Sequence, residues 1–149
     1  MPERKWLRHR IPEWVEHGSH WFITVCCQQR GCKVLSNDTC HEAIIQALMT
    51  YQSQGRLCLK QEVTMPDHIH LIARFDQRHG LAGTIESLKR YLARKHGIEW
   101  QPGFFDHRIR SDKLLRETID YVRMNPVRAG LVQSADEWAY RWPISATPR

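Results

Sequence analysis

Two short patterns hold the side chains that could do chemistry. His68, Ile69 and His70 form an H-x-H pattern; on a strand, where side chains alternate, both imidazoles leave one sheet face while Ile69 enters the core on the other. Two ring nitrogens then converge on one point, which suits a divalent metal if each ring is held as a neutral tautomer by a neighbouring acceptor. Tyr121 and Asn125, four apart, stack on one face of a helix. A phenol can attack a phosphodiester and form a covalent phosphotyrosine, and an amide oxygen one turn on can complete a metal site. Each pattern alone also has a plain reading: two half-exposed strand histidines, and a surface tyrosine followed by an asparagine that caps a helix end.

The flanking sequence supplies the elements that would position these groups. From His20 the segment WFITVCC is β-branched and aromatic and reads as a first strand. Ser36, Asn37 and Asp38 offer N-caps for a helix with Ile44, Ala47, Leu48 and Tyr51 on one face, stopped by Gly55. Leu57 to Val63 alternates apolar and polar with one slip, MPD makes a turn, and His68 to Phe75 returns as the second arm of a hairpin. After a break at Gly80 to Gly83, Ile85, Leu88 and Leu92 mark the core face of a second helix that ends at Gly97 and carries Lys89, Arg90, Arg94 and Lys95 on its other face. Phe104 to Arg110 reads as a further strand, and Ser111 caps a third helix with Leu115, Ile119 and Val122 as its core stripe, which Pro126 must end. The tail, with Trp138, Tyr140 and Trp142, is expected to pack back on the body. The order β-α-β-β-α-β predicts an α+β, ferredoxin-like (RRM-like) fold: an antiparallel sheet with helices on one face, the other free for a ligand, plus an added C-terminal tail.

Composition narrows the classes. A chain of 149 residues is the size of one domain, read as residues 1–19 forming a basic arm, 20–132 a core and 133–149 a tail. With 42% hydrophobic and 26% charged residues and no apolar run near 18, membrane chemistry drops out and a cytoplasmic protein is expected. Cys26, Cys27, Cys32, Cys40 and Cys58 are odd in number and lack a C-x-x-C pair, so small buried thiols are expected rather than disulfides or a zinc ribbon. Lys and Arg total 22 against 16 Asp and Glu, a net charge of +6 that makes an anionic partner plausible.

Four blocks in order, EVTMPDHIHLI, ESLKRYLARK, WQPGFFDHRIR and YVRMNPVRAGLV, resemble the REP-associated tyrosine transposases, members of the single-tyrosine HUH transposases, from about Trp21 to Val132. The resemblance implies that His68 and His70 bind a divalent metal, with Asn125 as third ligand, and that Tyr121 attacks the scissile phosphate of single-stranded DNA to give a 5′-phosphotyrosine and a free 3′-OH. Imidazole ligands alone would favour softer ions than magnesium, but the resemblance implies Mg2+ or Mn2+. It further implies that repetitive extragenic palindrome (REP) hairpins are the substrate, with monomer or homodimer both open. Asp67 stands where asparagine is common in the family, and the N-terminal segment departs from the family's usual tyrosine- and glycine-rich start, which bears on the DNA sequence it reads.

Basic residues near these blocks could line a DNA track: Lys89, Arg90 and Arg94 on the second helix, Arg108 and Arg110 on the FFDHRIR strand, Arg123 and Arg128 around the tyrosine, and Arg4, Lys5, Arg8 and Arg10 in the arm. A helix with several charges is also what any solvated face looks like. Asp67 and His107 are candidate bases for the phenol, beside plainer roles in a turn and a strand. Two other functions stay open at this level: a hairpin-binding module without cleavage, and a small-substrate metal hydrolase in which Tyr121 is a surface residue. Metal-dependent nicking separates the first from a transposase, and the effect of Tyr121→Phe separates the second.

Overall fold

The computed structural model describes residues 18–144. Arg4, Lys5, Arg8 and Arg10 lie outside them. The elements run β1 (His20–Cys26), α1 (Asp38–Ser53), β2 (Leu57–Thr64), β3 (His68–Phe75), α2 (Gly80–His96), β4 (Phe105–Ile109), α3 (Asp112–Arg123), α4 (Asn125–Arg128) and β5 (Arg141–Trp142). The sheet has the strand order β4-β1-β3-β2-β5, and the pairings are antiparallel. This is the expected α+β, ferredoxin-like arrangement, with β5 contributed by the tail.

Local signals explain the boundaries. The Asn37 side chain accepts from the Cys40 amide at 2.8 Å and so satisfies a free donor at the start of α1. The Ser111 hydroxyl does the same for the Leu114 amide of α3 at 3.1 Å. Gly97 closes α2 with φ +70°, a left-handed conformation that a side chain would strain. Gly80 and Gly83 lie inside α2 rather than before it, because the apolar stripe begins already at buried Leu81.

The helices do not all lie on one face. α1 and α2 pack Ile44, Leu48, Leu81, Ile85, Leu88 and Leu92 against Ile23, Val25, Ile69 and Leu71, forming the larger core. Each such aliphatic side chain stabilises the fold by about 1.5–3 kcal/mol when fully buried. On the opposite face Val63, Met65, Ile72, Ile109 and Val122 form a second cluster, with Phe22, Leu115, Ile119 and Trp138 against it. The face expected to be free is therefore partly covered by α3 and by the tail. Trp138 fixes that cover by donating its indole N–H to the Thr64 carbonyl at 3.0 Å.

The slip in the β2 pattern is a bulge. Leu59 pairs with Ala73 and Gln61 with Ile72, so the extra residue, Lys60, reverses the alternation. Leu57 and Leu59 face α1 and α2, whereas Gln61 and Val63 face α3, and Glu62 is carried into the helical side. There, fully buried, its carboxylate meets the His41 Nε2 at 3.0 Å and the Thr64 hydroxyl.

Proline acts otherwise than expected. Pro126 is buried in the first turn of α4, where its missing N–H is no loss, so it starts a new turn after α3 has ended at Arg123. The cysteines are free; Cys26, Cys27 and Cys40 are buried, but Cys32 is half-buried and Cys58 exposed, since position 58 alternates outward on β2. Burial pushes the Cys27 thiol up to about 12, which keeps it protonated.

Candidate nucleic-acid cleavage site

His68 and His70 extend from β3 on the face that carries α3, with Ile69 between them fully buried on the other. Their Nε2 atoms lie 3.2 Å apart and the rings meet edge to face. The far nitrogens are each held. His68 Nδ1 is 2.7 Å from Asp67 Oδ1, and His70 Nδ1 is 3.0 Å from the Thr24 hydroxyl across the β1–β3 ladder. A carboxylate can only accept, so it fixes a proton on His68 Nδ1 and leaves Nε2 with a lone pair. The Thr24 hydroxyl both donates and accepts, so His70 can be protonated on either nitrogen and can also present Nε2 as a ligand.

The charge state agrees with this use. Burial, with the neighbouring His68 and Arg128 adding to it, lowers His70 to about 3. His68 is lowered by burial too, against the raising effect of Asp67. Burial alone would raise Asp67; instead the Arg30 guanidinium, the Gly31 amide and His68 hold its carboxyl well below the usual range. Arg30 Nε sits 2.9 Å and Gly31 N 2.7 Å from Asp67 Oδ2. Asp67 is therefore an anchored ionised acceptor for His68 and is spoken for as a base.

Two neutral imidazoles with converging Nε2 atoms and anchored Nδ1 atoms fit a divalent metal. Among the described residues no cluster of three or more His, Cys, Asp or Glu forms around them. Further ligands would have to be neutral oxygens, as the amide of Asn125 is, or come from the substrate.

Tyr121 lies in the last turns of α3, 54% exposed, so its hydroxyl is open to a ligand. Val122 beside it is fully buried and roots the helix in the second cluster, while Gln61 Nε2 donates to the Ile119 carbonyl at 3.1 Å. The Arg128 guanidinium stacks 3.9 Å from the centre of the Tyr121 ring. The same positive charge contributes to the lowering of His70. Asn125 opens α4 one turn beyond Tyr121 and is half-buried.

The other basic residues divide. Lys89 does not belong to a solvated basic face: it is buried, and its ammonium donates to the carbonyls of Gln101 at 3.0 Å and Gly103 at 2.7 Å, tying the loop before β4 to α2. Arg90 and Arg94 are exposed, but they line a groove with Arg56 and Tyr51 on the helical side of the sheet, away from the histidines. Arg108 pairs with Trp21, which turns it to that same side. Arg110 and Arg123 are exposed, the latter 3.8 Å from Asp136. His107 stands opposite Phe22 on the histidine face and is exposed. Thr24, Arg30 and Gln61 had no signal in the sequence, because each reaches its partner from a distant element.

Residues 17–123 match the family profile described as "Transposase IS200 like". The REP-associated tyrosine transposase of Escherichia coli is 26% identical over 126 residues, which span 83% of this chain and 75% of that one. A Haemophilus influenzae protein assigned to the same group is 34% identical over 144 residues, spanning 83% of this chain and 78% of its own. A REP-associated tyrosine transposase solved bound to a REP hairpin shares the fold, with a TM-score of 0.74 at 24% identity, covering 93% of this chain and 90% of the other.

Proposed function

Because the chain belongs to the IS200-like transposase family as a REP-associated tyrosine transposase, we propose that it cuts and rejoins single-stranded DNA at palindromic hairpins through a tyrosine–DNA intermediate. The observation that carries this reading is the pair of converging, anchored imidazoles on the sheet face against which the tyrosine helix packs. A hairpin partner is supported by the solved relative's own complex.

In this reading the Tyr121 oxygen attacks the scissile phosphorus. A bond forms between that oxygen and phosphorus, the bond from phosphorus to the 3′ oxygen breaks, the phenol gives up its proton, and the leaving oxygen takes one up as a 3′-OH. Reversal by another 3′-OH joins strands without an outside energy source. A divalent ion, Mg2+ or Mn2+, held by His68, His70 and Asn125, would supply charge to a non-bridging phosphoryl oxygen. Arg128 keeps the Tyr121 ring oriented by stacking on its face and brings a positive charge to where the phosphate must sit. Residues 20–132 form the catalytic core in this reading, with 1–19 as a DNA-contacting arm through Arg4, Lys5, Arg8 and Arg10. Arg110 and Arg123, both exposed, contact the DNA backbone in this reading.

The test uses labelled single-stranded hairpin oligonucleotides with Mn2+ or Mg2+ and a denaturing gel. Wild type should carry label with the protein only when metal is added, and Tyr121→Phe should form no adduct while still shifting the hairpin on a native gel. Binding without an adduct on any hairpin would leave a DNA-binding module instead. Full activity in Tyr121→Phe with loss in His68→Ala would point to a metal hydrolase.

A further inference from the structure

Phe105 is a large apolar side chain left 58% exposed on β4, at the edge of the sheet. Its register gives it a place rather than an accident of exposure. Thr24 pairs with Phe105 on one side and with His70 on the other, so Phe105, Thr24 and His70 form one cross-strand row with their side chains on the same face. Thr24 is the residue that holds His70 Nδ1. With strands about 4.8 Å apart, Phe105 stands two strand spacings, about 10 Å, from His70.

The rest of that face says what could cover the ring. The second cluster is filled by α3 and Trp138, and it takes in Phe22, Ile72 and Ile109 but not Phe105. His107, two residues along on the same face, is exposed as well, so this edge is open, and the apolar Phe22 and Ile109 on that face are taken up by the second cluster, leaving Phe105 as the exposed apolar ring. A partner protein would ask for a wide apolar patch, whereas here the one exposed apolar ring stands in a row with His70 and beside His107. A flat ring next to a phosphate-handling centre meets the requirements of a nucleobase: stacking needs one aromatic face and tolerates any base, while cations follow the backbone.

We propose that Phe105 is a base-stacking subsite, which seats a nucleobase of the single strand adjoining the phosphate held at His68 and His70. This rests on the cleavage reading above. Its consequence is positional: a stacked base fixes the strand relative to the histidine row, so it sets which phosphate reaches Tyr121. Being exposed, Phe105 can be changed without opening a core.

The experiment is a binding cycle in the Tyr121→Phe background, with hairpin oligonucleotides in which each nucleotide of the single-stranded flank is replaced in turn by an abasic site. Phe105→Ala should weaken binding of intact strand by about fivefold or more. At one abasic position the wild-type Phe105 protein should lose as much, and Phe105→Ala should then lose nothing further. Phe105→Trp should restore affinity and show indole quenching on adding that strand. If Phe105→Ala binds as well as its parent, or if its loss adds to that of every abasic site, the subsite is overturned even though wild type still forms the adduct. If the wild-type chain neither binds nor cleaves any strand, both the subsite and the cleavage reading fall together.

Discussion

At the scale of single residues, the histidine pair depends on what stands behind each ring. The Thr24 hydroxyl and the Asp67 carboxylate decide which nitrogen points inward. Removing such a partner typically costs 10- to 100-fold in metal affinity. Thr24→Val keeps the shape and β-branch but deletes the bond to His70, so Mn2+ affinity measured by titration calorimetry should fall by about tenfold or more. Asp67→Ala should fall at least as far, since it also frees Arg30 and Gly31, and Asp67→Asn should fall too, because its single amide oxygen cannot accept on both sides and its NH2 must face either His68 Nδ1 or the Arg30 and Gly31 donors. An unchanged affinity in Thr24→Val would mean that His70 needs no anchor. The pair itself was legible from an H-x-H pattern on a strand; its anchors were not, because Thr24 lies 46 residues away in sequence and meets His70 only through strand pairing.

At the scale of elements, α3 carries the tyrosine yet is lightly held, with Val122 as its one fully buried residue. Its first turn is satisfied by Ser111 and its middle by the Gln61 bond to Ile119. Ser111→Ala should cost about 1 kcal/mol, and hydrogen exchange should show faster opening in α3 while β3 keeps its protection. Uniform loss across the sheet would show instead that α3 does not open separately. The cap at Ser111 and the stripe Leu115, Ile119, Val122 are local signals and could be read directly. Lys89 could not: helical periodicity placed it beside Arg90, but two carbonyls from the loop before β4 draw its ammonium inward, a contact that exists only once that loop returns over α2. The bulge at Lys60 was visible as a slip, but only strand pairing shows that it turns Val63 toward α3 and Glu62 toward His41. Pro126 signalled a break without saying that a new helical turn would follow.

At the scale of the whole molecule, the burial that keeps the histidine pair neutral also shapes the response to acid. The ordinary histidine value is 6.5 and His70 is lowered to about 3. Between these values the unfolded chain binds a proton that the folded chain refuses, so stability is complete above about pH 6.5 and falls as pH drops toward 3, by at most about 1.4 kcal/mol per unit. Asp67 acts in the same direction at lower pH: its carboxyl is held below 3.8, so its contribution is lost only as pH falls beneath that value. Glu62 runs the other way, since burial raises it above 4.5 and its contribution declines as pH rises past that point. Comparing wild type with His70→Asn reads the effect of the histidine pair, since His68, itself lowered by burial, meets His70 at 3.2 Å, while Asp67 and Glu62 are present in both. With chelator present, the wild-type Tm should drop between pH 7.5 and pH 5.0 by about 5 °C more than that of His70→Asn, the equivalent of about 1–2 kcal/mol in a chain of this size. Parallel curves for the two proteins would mean that His70 takes up its proton without unfolding the row it shares with Thr24, and that the imidazole is not held neutral by the fold.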